Sequence, residues 1–242
     1  LKKEYHMKDN TLGNLGGTCS ILLGILYLVI GVTYLLLPAA QKQTSATAQF
    51  LPSFAENPTT QFIQWWVFAF SGLIGIAVVL AVSESLRSAN EGWVRWTSNL
   101  AILGFAVVLI NNFRAMAFQP AMARAYVDGD AVTKAAIEVS GPFSLDPQGW
   151  LGFGAVGLWV LVVSRLALRA AIWPPLLSYL GMATAIAYWL IVVGFVFNQE
   201  TLFTIGAALG GILLAPIWYI WTGLRLRQTG VKPSVSLAPN SR

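Results

Sequence analysis

Apolar residues run along this chain in six blocks, at about 16–38, 61–83, 96–118, 149–170, 173–197 and 201–223, with most polar residues between them. Each block matches the roughly 20 residues that an α-helix needs to cross ~30 Å of hydrocarbon at about 1.5 Å per residue. The pattern predicts an all-α, polytopic membrane protein of six transmembrane helices. The spans occupy residues 16–223, between a polar N-terminal tail over 1–15 and a polar C-terminal tail over 224–242. The run 21–37 followed by "SATAQ" also resembles a signal peptide with a small-residue cleavage site, and is read as a retained first span.

The connectors alternate in character. Those on one side are short, which makes neighbouring helices antiparallel hairpins, whereas the other side carries loops 39–60 and 119–148. The first, "AAQKQTSATAQFLPSFAENPTT", has the Ser, Thr, Pro and amide content of an exposed loop ending at an Asn57-Pro58 turn. The second contains "QPAMARAY" and "DAVTKAAIEV", which predict one or two short helices capping the outer side, with Asp130 as an N-cap. In "LDPQGW", Asp146 is placed to cap the fourth span and Pro147 to sit in its first turn.

Charge orients the bundle. With the N-terminus inside, eleven Lys and Arg lie on the inner side against four outside (Lys42, Arg114, Arg124, Lys134). Positive residues concentrate on the cytoplasmic side of membrane proteins, so both termini are expected in the cytoplasm and the chain in the cytoplasmic membrane. Tryptophans fit an interfacial belt, with Trp65, Trp66 and Trp150 at outer edges and Trp93, Trp96, Trp173, Trp218 and Trp221 near inner ones.

Composition narrows the chemistry. Charged residues are 10% of the chain, against roughly 25% in soluble domains. The formal charge of +5 forms no stripe that would suggest nucleic acid. Cys19 and His6 are the sole residues of their types, which argues against an internal disulfide, a haem held by histidines and the usual zinc or copper sites. No lysine lies in an apolar run to hold retinal, and no cofactor is expected. There is no phosphate-binding loop motif and no HExxH. "GFGAVG" at 152–157 has no preceding strand and no nearby lysine, so it reads as helix packing. Asp and Glu stay in connectors, tails and span ends, leaving no carboxylate to change protonation inside the bundle. Enzymatic activity is therefore not expected.

Small residues recur at four-residue spacing: Ser20 with Gly24, Ser71 with Gly75, Gly181 with Ala185, and "GAALGG", containing Gly206, Gly210 and Gly211. In lipid such faces allow close backbone approach, so they predict helix packing within the bundle, with "GAALGG" a second choice for self-association. Trp93, Ser98 and Leu100 recur at the same offsets as Trp173, Ser178 and Leu180, after the similar span ends "ESLRSA" and "LALRAA". Spans two and three are thus candidates for a parallel repeat of spans four and five.

The candidate site comes from "LINNFRAM", which puts Asn111, Asn112 and Arg114 into an otherwise apolar span. Counted from Trp96, the asparagines stand roughly 22–24 Å up the helix and Arg114 about 27 Å, near the outer edge. Tyr188, counted from Trp173, reaches roughly the same height. With Asp146, Asn198 and Glu200 they form a candidate outer polar pocket, with Arg114 balanced by Asp146 or Glu200. The competing reading is structural, with Arg114 reaching to headgroups and the asparagines bonding between helices.

The segments "LYLVIGVTYLLLP", "GWLGFGAVGLWVLVVSRLAL" and "GGILLAPIWYIWTGLRLR" resemble uncharacterised bacterial integral membrane proteins grouped under a domain of unknown function. That resemblance implies a multi-helix membrane protein and supplies no catalytic residue. The expected function is action by protein–protein contacts, as an accessory subunit, assembly partner or scaffold. Its partners would be membrane lipids and other membrane subunits or itself, and no nucleic acid. The alternative is binding or transport of a small amphipathic molecule or lipid through the outer pocket.

Overall fold

The computed structural model describes residues 2–42, 47–140 and 144–230. Among them there is no strand, and six helices are long and apolar enough to cross a membrane: Thr11–Leu36, Thr59–Leu86, Glu91–Asp128, Trp150–Arg169, Pro175–Val196 and Glu200–Gln228. Helices suit this sequence because lipid offers backbone N–H and C=O groups no partner, and a helix satisfies its own. The first span lies within α1 (Lys2–Leu36), so the expected polar tail is helical from Lys2 and continuous with the span. The C-terminal helix reaches Gly230, and the rest of the expected tail, 231–242, lies outside the described residues.

The second and third spans are α4 (Thr59–Leu86) and α5 (Glu91–Asp128), which follow two short helices, α2 and α3, described below. Asn90 starts α5 by accepting the Trp93 N–H at 3.1 Å, with Glu91 in the positive first turn, where a carboxylate is favoured. The fourth span opens with a π-helical turn, Trp150–Ala155, and continues as α7 (Val156–Arg169). The fifth is α8 (Pro175–Val196). The sixth joins α9 (Glu200–Gly206), a π-helical run over Ala207–Leu214 and α10 (Ala215–Gly230). Each span packs on its neighbour in sequence and α1 closes against α10, giving a ring of six.

Two turns end helices with a non-glycine residue in the left-handed region, Ala171 (φ 50°) and Asn198 (φ 54°). In both, the following N–H reaches back five residues, Ile172 to Ala167 O at 3.0 Å and Gln199 to Gly194 O at 2.8 Å. That bond closes a Schellman cap. Asparagine tolerates this conformation and alanine does so at a cost, so Ala171→Gly is expected to stabilise the fold by about 0.5–1 kcal/mol. Thermal unfolding of the purified chain reads the shift.

Small-residue faces make the closest contacts. A Cβ on Gly24 would lie 2.8 Å from Pro216 O, and one on Gly223 would lie 2.5 Å from Gly17 O, so α1 and α10 touch backbone to backbone. Gly75 meets the Phe105 ring, Gly206 meets the Ala187 carbonyl and Gly210 lies against Ala187 and Tyr188. Gly211 corrects the packing assignment, since nothing lies within 4 Å of its missing Cβ. One residue's step along the helix turns it away from α8.

The connectors on the side opposite the termini are more ordered than expected. Residues 39–60 contain α2 (Ala39–Lys42) and α3 (Thr47–Glu56) where an exposed loop was predicted; residues 43–46 lie outside the description. Phe50, Leu51 and Phe54 share one face of α3 and bury it with Trp65, Ala123 and Tyr126. Gln41, 1% exposed, donates to Ser53 O (2.9 Å) and Asn57 O (3.1 Å), tying α2 to α3. Helix α5 runs unbroken through Pro120, so "QPAMARAY" is its extension and not a separate helix. Its 38 residues measure about 57 Å, well beyond a hydrocarbon core of about 30 Å. Its last turns therefore project, and α6 (Ala131–Ser140) lies against them. These pieces form a cap on the side opposite the termini.

Candidate functional site

The predicted outer pocket is resolved into separate jobs. Asn111 accepts the Leu145 N–H at 2.8 Å and donates to Ser144 Oγ at 3.2 Å, which fastens the turn before the fourth span to α5. Asp146 accepts from Leu151 N (2.9 Å) and Gly152 N (2.7 Å), so its carboxylate caps the positive end of that span. Pro147 lies in the turn ahead of the helix and not in its first turn, because Gly149 at φ 72° delays the start to Trp150. Asp146→Ala is expected to cost about 1 kcal/mol and to speed hydrogen exchange at 151–154, measured by mass spectrometry.

Asn112 folds back on its own helix, donating to Val108 O at 2.7 Å. Arg114 is half-buried and, among the described residues, forms no ion pair with Asp146 or Glu200; the expected charge balance is corrected on this point. The physical reason is that Asp146 is engaged by two backbone N–H groups, while Glu200 stands exposed in the first turn of α9. Asn198 is exposed and serves as the left-handed residue of the α8 cap. On α6, Asp130 accepts the Thr133 N–H at 2.8 Å, and this backbone hydrogen bond holds its carboxyl below the usual carboxylate range. Among the described residues no three of His, Cys, Asp and Glu gather as a metal ligand set.

Tyr188 belongs elsewhere. It is fully buried in the bundle, with Phe153 from one π-helical stretch at a ring distance of 5.9 Å and Gly210 from the other against its edge. Its hydroxyl lies beside those of Tyr27 and Tyr219. Tyr27 and Tyr219 stack at 5.5 Å, and Trp218 contacts Tyr219 at 4.9 Å and Trp159 at 5.9 Å. Trp173 and Trp218, placed in the interfacial belt by sequence, are 5% and 0% exposed and belong to this core. Trp66, Trp93, Trp96 and Trp150 remain outward, each about half exposed, as belt residues are.

Polar groups in this core divide into two kinds. Thr33, Thr97 and Thr184 return their hydroxyls to carbonyls of their own helices, and Ser20 donates to Tyr219 O at 2.6 Å. Such back-bonding is the usual way for a hydroxyl to be satisfied within a helix. The indole N–H groups of Trp159 and Trp218 and the hydroxyls of Ser164, Ser178, Tyr188, Tyr219 and Thr222 are buried with no hydrogen-bond partner. Native interiors satisfy nearly all such groups, so the set on α7, α8 and α10 is a candidate site. Sequence reading missed it, although the polar Ser164, Ser178 and Thr222 inside apolar spans were its visible signal.

Six apolar spans closed in a ring around a largely apolar core, with a helical cap on one side, define a polytopic α-helical membrane protein. The domain of unknown function DUF4386 matches residues 22–226, and the chain belongs to that family. No curated protein and no solved structure matches the chain significantly.

Proposed function

We infer that the protein is a non-catalytic, multi-pass protein of the bacterial cytoplasmic membrane that works by contact, as an accessory or assembly subunit. The excess of eleven cationic residues to four supports termini in the cytoplasm and a cap outside. The observation that carries the reading is α6. This helix has no buried residue, and Val132 and Val139 stand 76% and 88% exposed on a cap that projects beyond the hydrocarbon. Beneath it lies a crevice of about 480 Å³ lined by Met122, Val132, Thr133, Ala136, Ile137 and Ser140. Apolar surface held outside the lipid in this way suits the extramembrane segment of another polypeptide. The alternative outer pocket has less support, because Asn111 and Asp146 are committed to holding the turn at 144–149.

Site-specific photocrosslinking in membranes tests this. A crosslinker at Val139 should yield one discrete adduct, lost when Val132→Asp is added, while a crosslinker at Glu84 on the side of the termini should not yield it. A strictly monomeric particle after gentle solubilisation, with no adduct from Val139, overturns the reading.

A further inference from the structure

Two of the unpartnered groups of the bundle core meet at Gly181. A Cβ on Gly181 would overlap Ser164 Oγ and sit 2.5 Å from Trp218 Nε1, so α7 and α10 bring two polar atoms together directly against this glycine of α8. Ser178 stands one turn from Gly181 toward the side of the termini, and Thr222 one turn from Trp218 in the same direction. Trp159 closes the group, its ring edge-on to that of Trp218. All five polar side chains are 0% exposed and unsatisfied.

Between α4 and α5, by contrast, Ser83 and Ser98 hydrogen-bond directly to each other, and each also lies within hydrogen-bond distance of a carbonyl of its own helix, Val79 O and Val94 O.

The chemistry of the group favours negative charge. An indole N–H can only donate, and hydroxyls turn to donate wherever an acceptor is offered. Among the described residues no carboxylate shares this interior: Glu84, Glu91, Asp128 and Glu200 are all exposed at helix ends. Helix α8 begins at Pro174-Pro175 with no side-chain cap, so its positive end, close to Ser178, is left uncompensated. Arg225, half-buried three residues after Thr222, adds a cationic group one turn nearer the termini.

We propose that Trp159, Ser164, Ser178, Trp218 and Thr222 form a binding site for a small monovalent anion of the halide or nitrate class, held by neutral donors between α7, α8 and α10. Charge-assisted hydrogen bonds to N–H and O–H groups offset part of the hydration that the anion gives up. This is independent of docking at the cap, which lies at the other end of the molecule.

The test uses the full chain in detergent, starting in sodium gluconate and replacing it stepwise with sodium chloride or bromide at constant ionic strength. The unfolding temperature should rise by about 2–4 °C and saturate. In Ser164→Ala and Trp218→Phe, which delete a donor each, half-saturation should move at least tenfold higher. Bromide should give an anomalous scattering peak beside Ser164 and Trp218 in the wild-type protein. Should either variant fail to fold, Ser178→Ala and Thr222→Val provide the same comparison, and the bromide peak stands without any variant. The proposal is overturned by an unsaturable or absent anion effect in the wild type, by equal effects in variants and wild type, or by bromide located only elsewhere.

Discussion

Gly223→Val is expected to destabilise the bundle by about 3 kcal/mol or more, lowering the thermal midpoint by about 6 °C or more. The new Cβ would stand 2.5 Å from Gly17 O and 2.9 Å from Ile21 N, and neither is the yielding end of a flexible side chain. Relief requires α1 and α10 to move apart, and this is the seam that closes the ring. In lipid that seam is held by dispersion contacts at short backbone separation, so distance lost there is not recovered by excluding water. Gly211→Ala is the matched control, since nothing lies within 4 Å of the position. Its change should stay within about 0.5 kcal/mol. The pair is read by unfolding both variants in the same detergent. A Gly211 effect as large as that at Gly223 would mean that the open space beside Gly211 is filled in the membrane by a second molecule.

The spans were legible in the sequence because the bilayer sets one physical requirement, apolar length, and each block meets it. Helix starts were legible where a carboxylate precedes the block, as at Asp130 and Asp146, because free N–H groups need an acceptor wherever a helix begins. Which face of a span turns inward was not legible. A helix that is apolar all round carries no stripe to read, so Trp218 in the core and Trp93 at the surface look alike in sequence. Proline misled in the cap. The proline in the 39–60 segment suggested a loop and "QPAMARAY" a separate helix, yet Pro52 and Pro120 both lie inside helices. There the burial of the faces around Phe54 and Tyr126 outweighs a missing backbone hydrogen bond. Tyr188 was grouped with the outer asparagines for a related reason. Height along a helix can be counted from the sequence, but azimuth cannot, and Tyr188 shares a level with Asn112 while facing the core.

Phe54→Ala should unseat the cap and leave the membrane ring intact. Phe54 is 2% exposed, with ring neighbours Phe50 at 5.9 Å, Phe62 at 5.7 Å and Trp65 at 5.2 Å. Truncating a buried phenylalanine costs about 3–5 kcal/mol, and this cluster is separate from the core of the bundle. The cost therefore falls on α3 and on the projecting end of α5, to which α6 is tied by the Tyr126 hydroxyl donating to Glu138. Hydrogen exchange should accelerate over 47–56 and 120–140 while 156–169 and 177–194 stay protected, since local stability follows local burial. The photocrosslink from Val139 should weaken in the same variant, although the substituted residue is nowhere near α6's exposed face. Uniform acceleration across all six spans would show instead that cap and ring unfold as one unit. Val139→Ser provides the contrast: at 88% exposure it should leave exchange unchanged and act only on the contact.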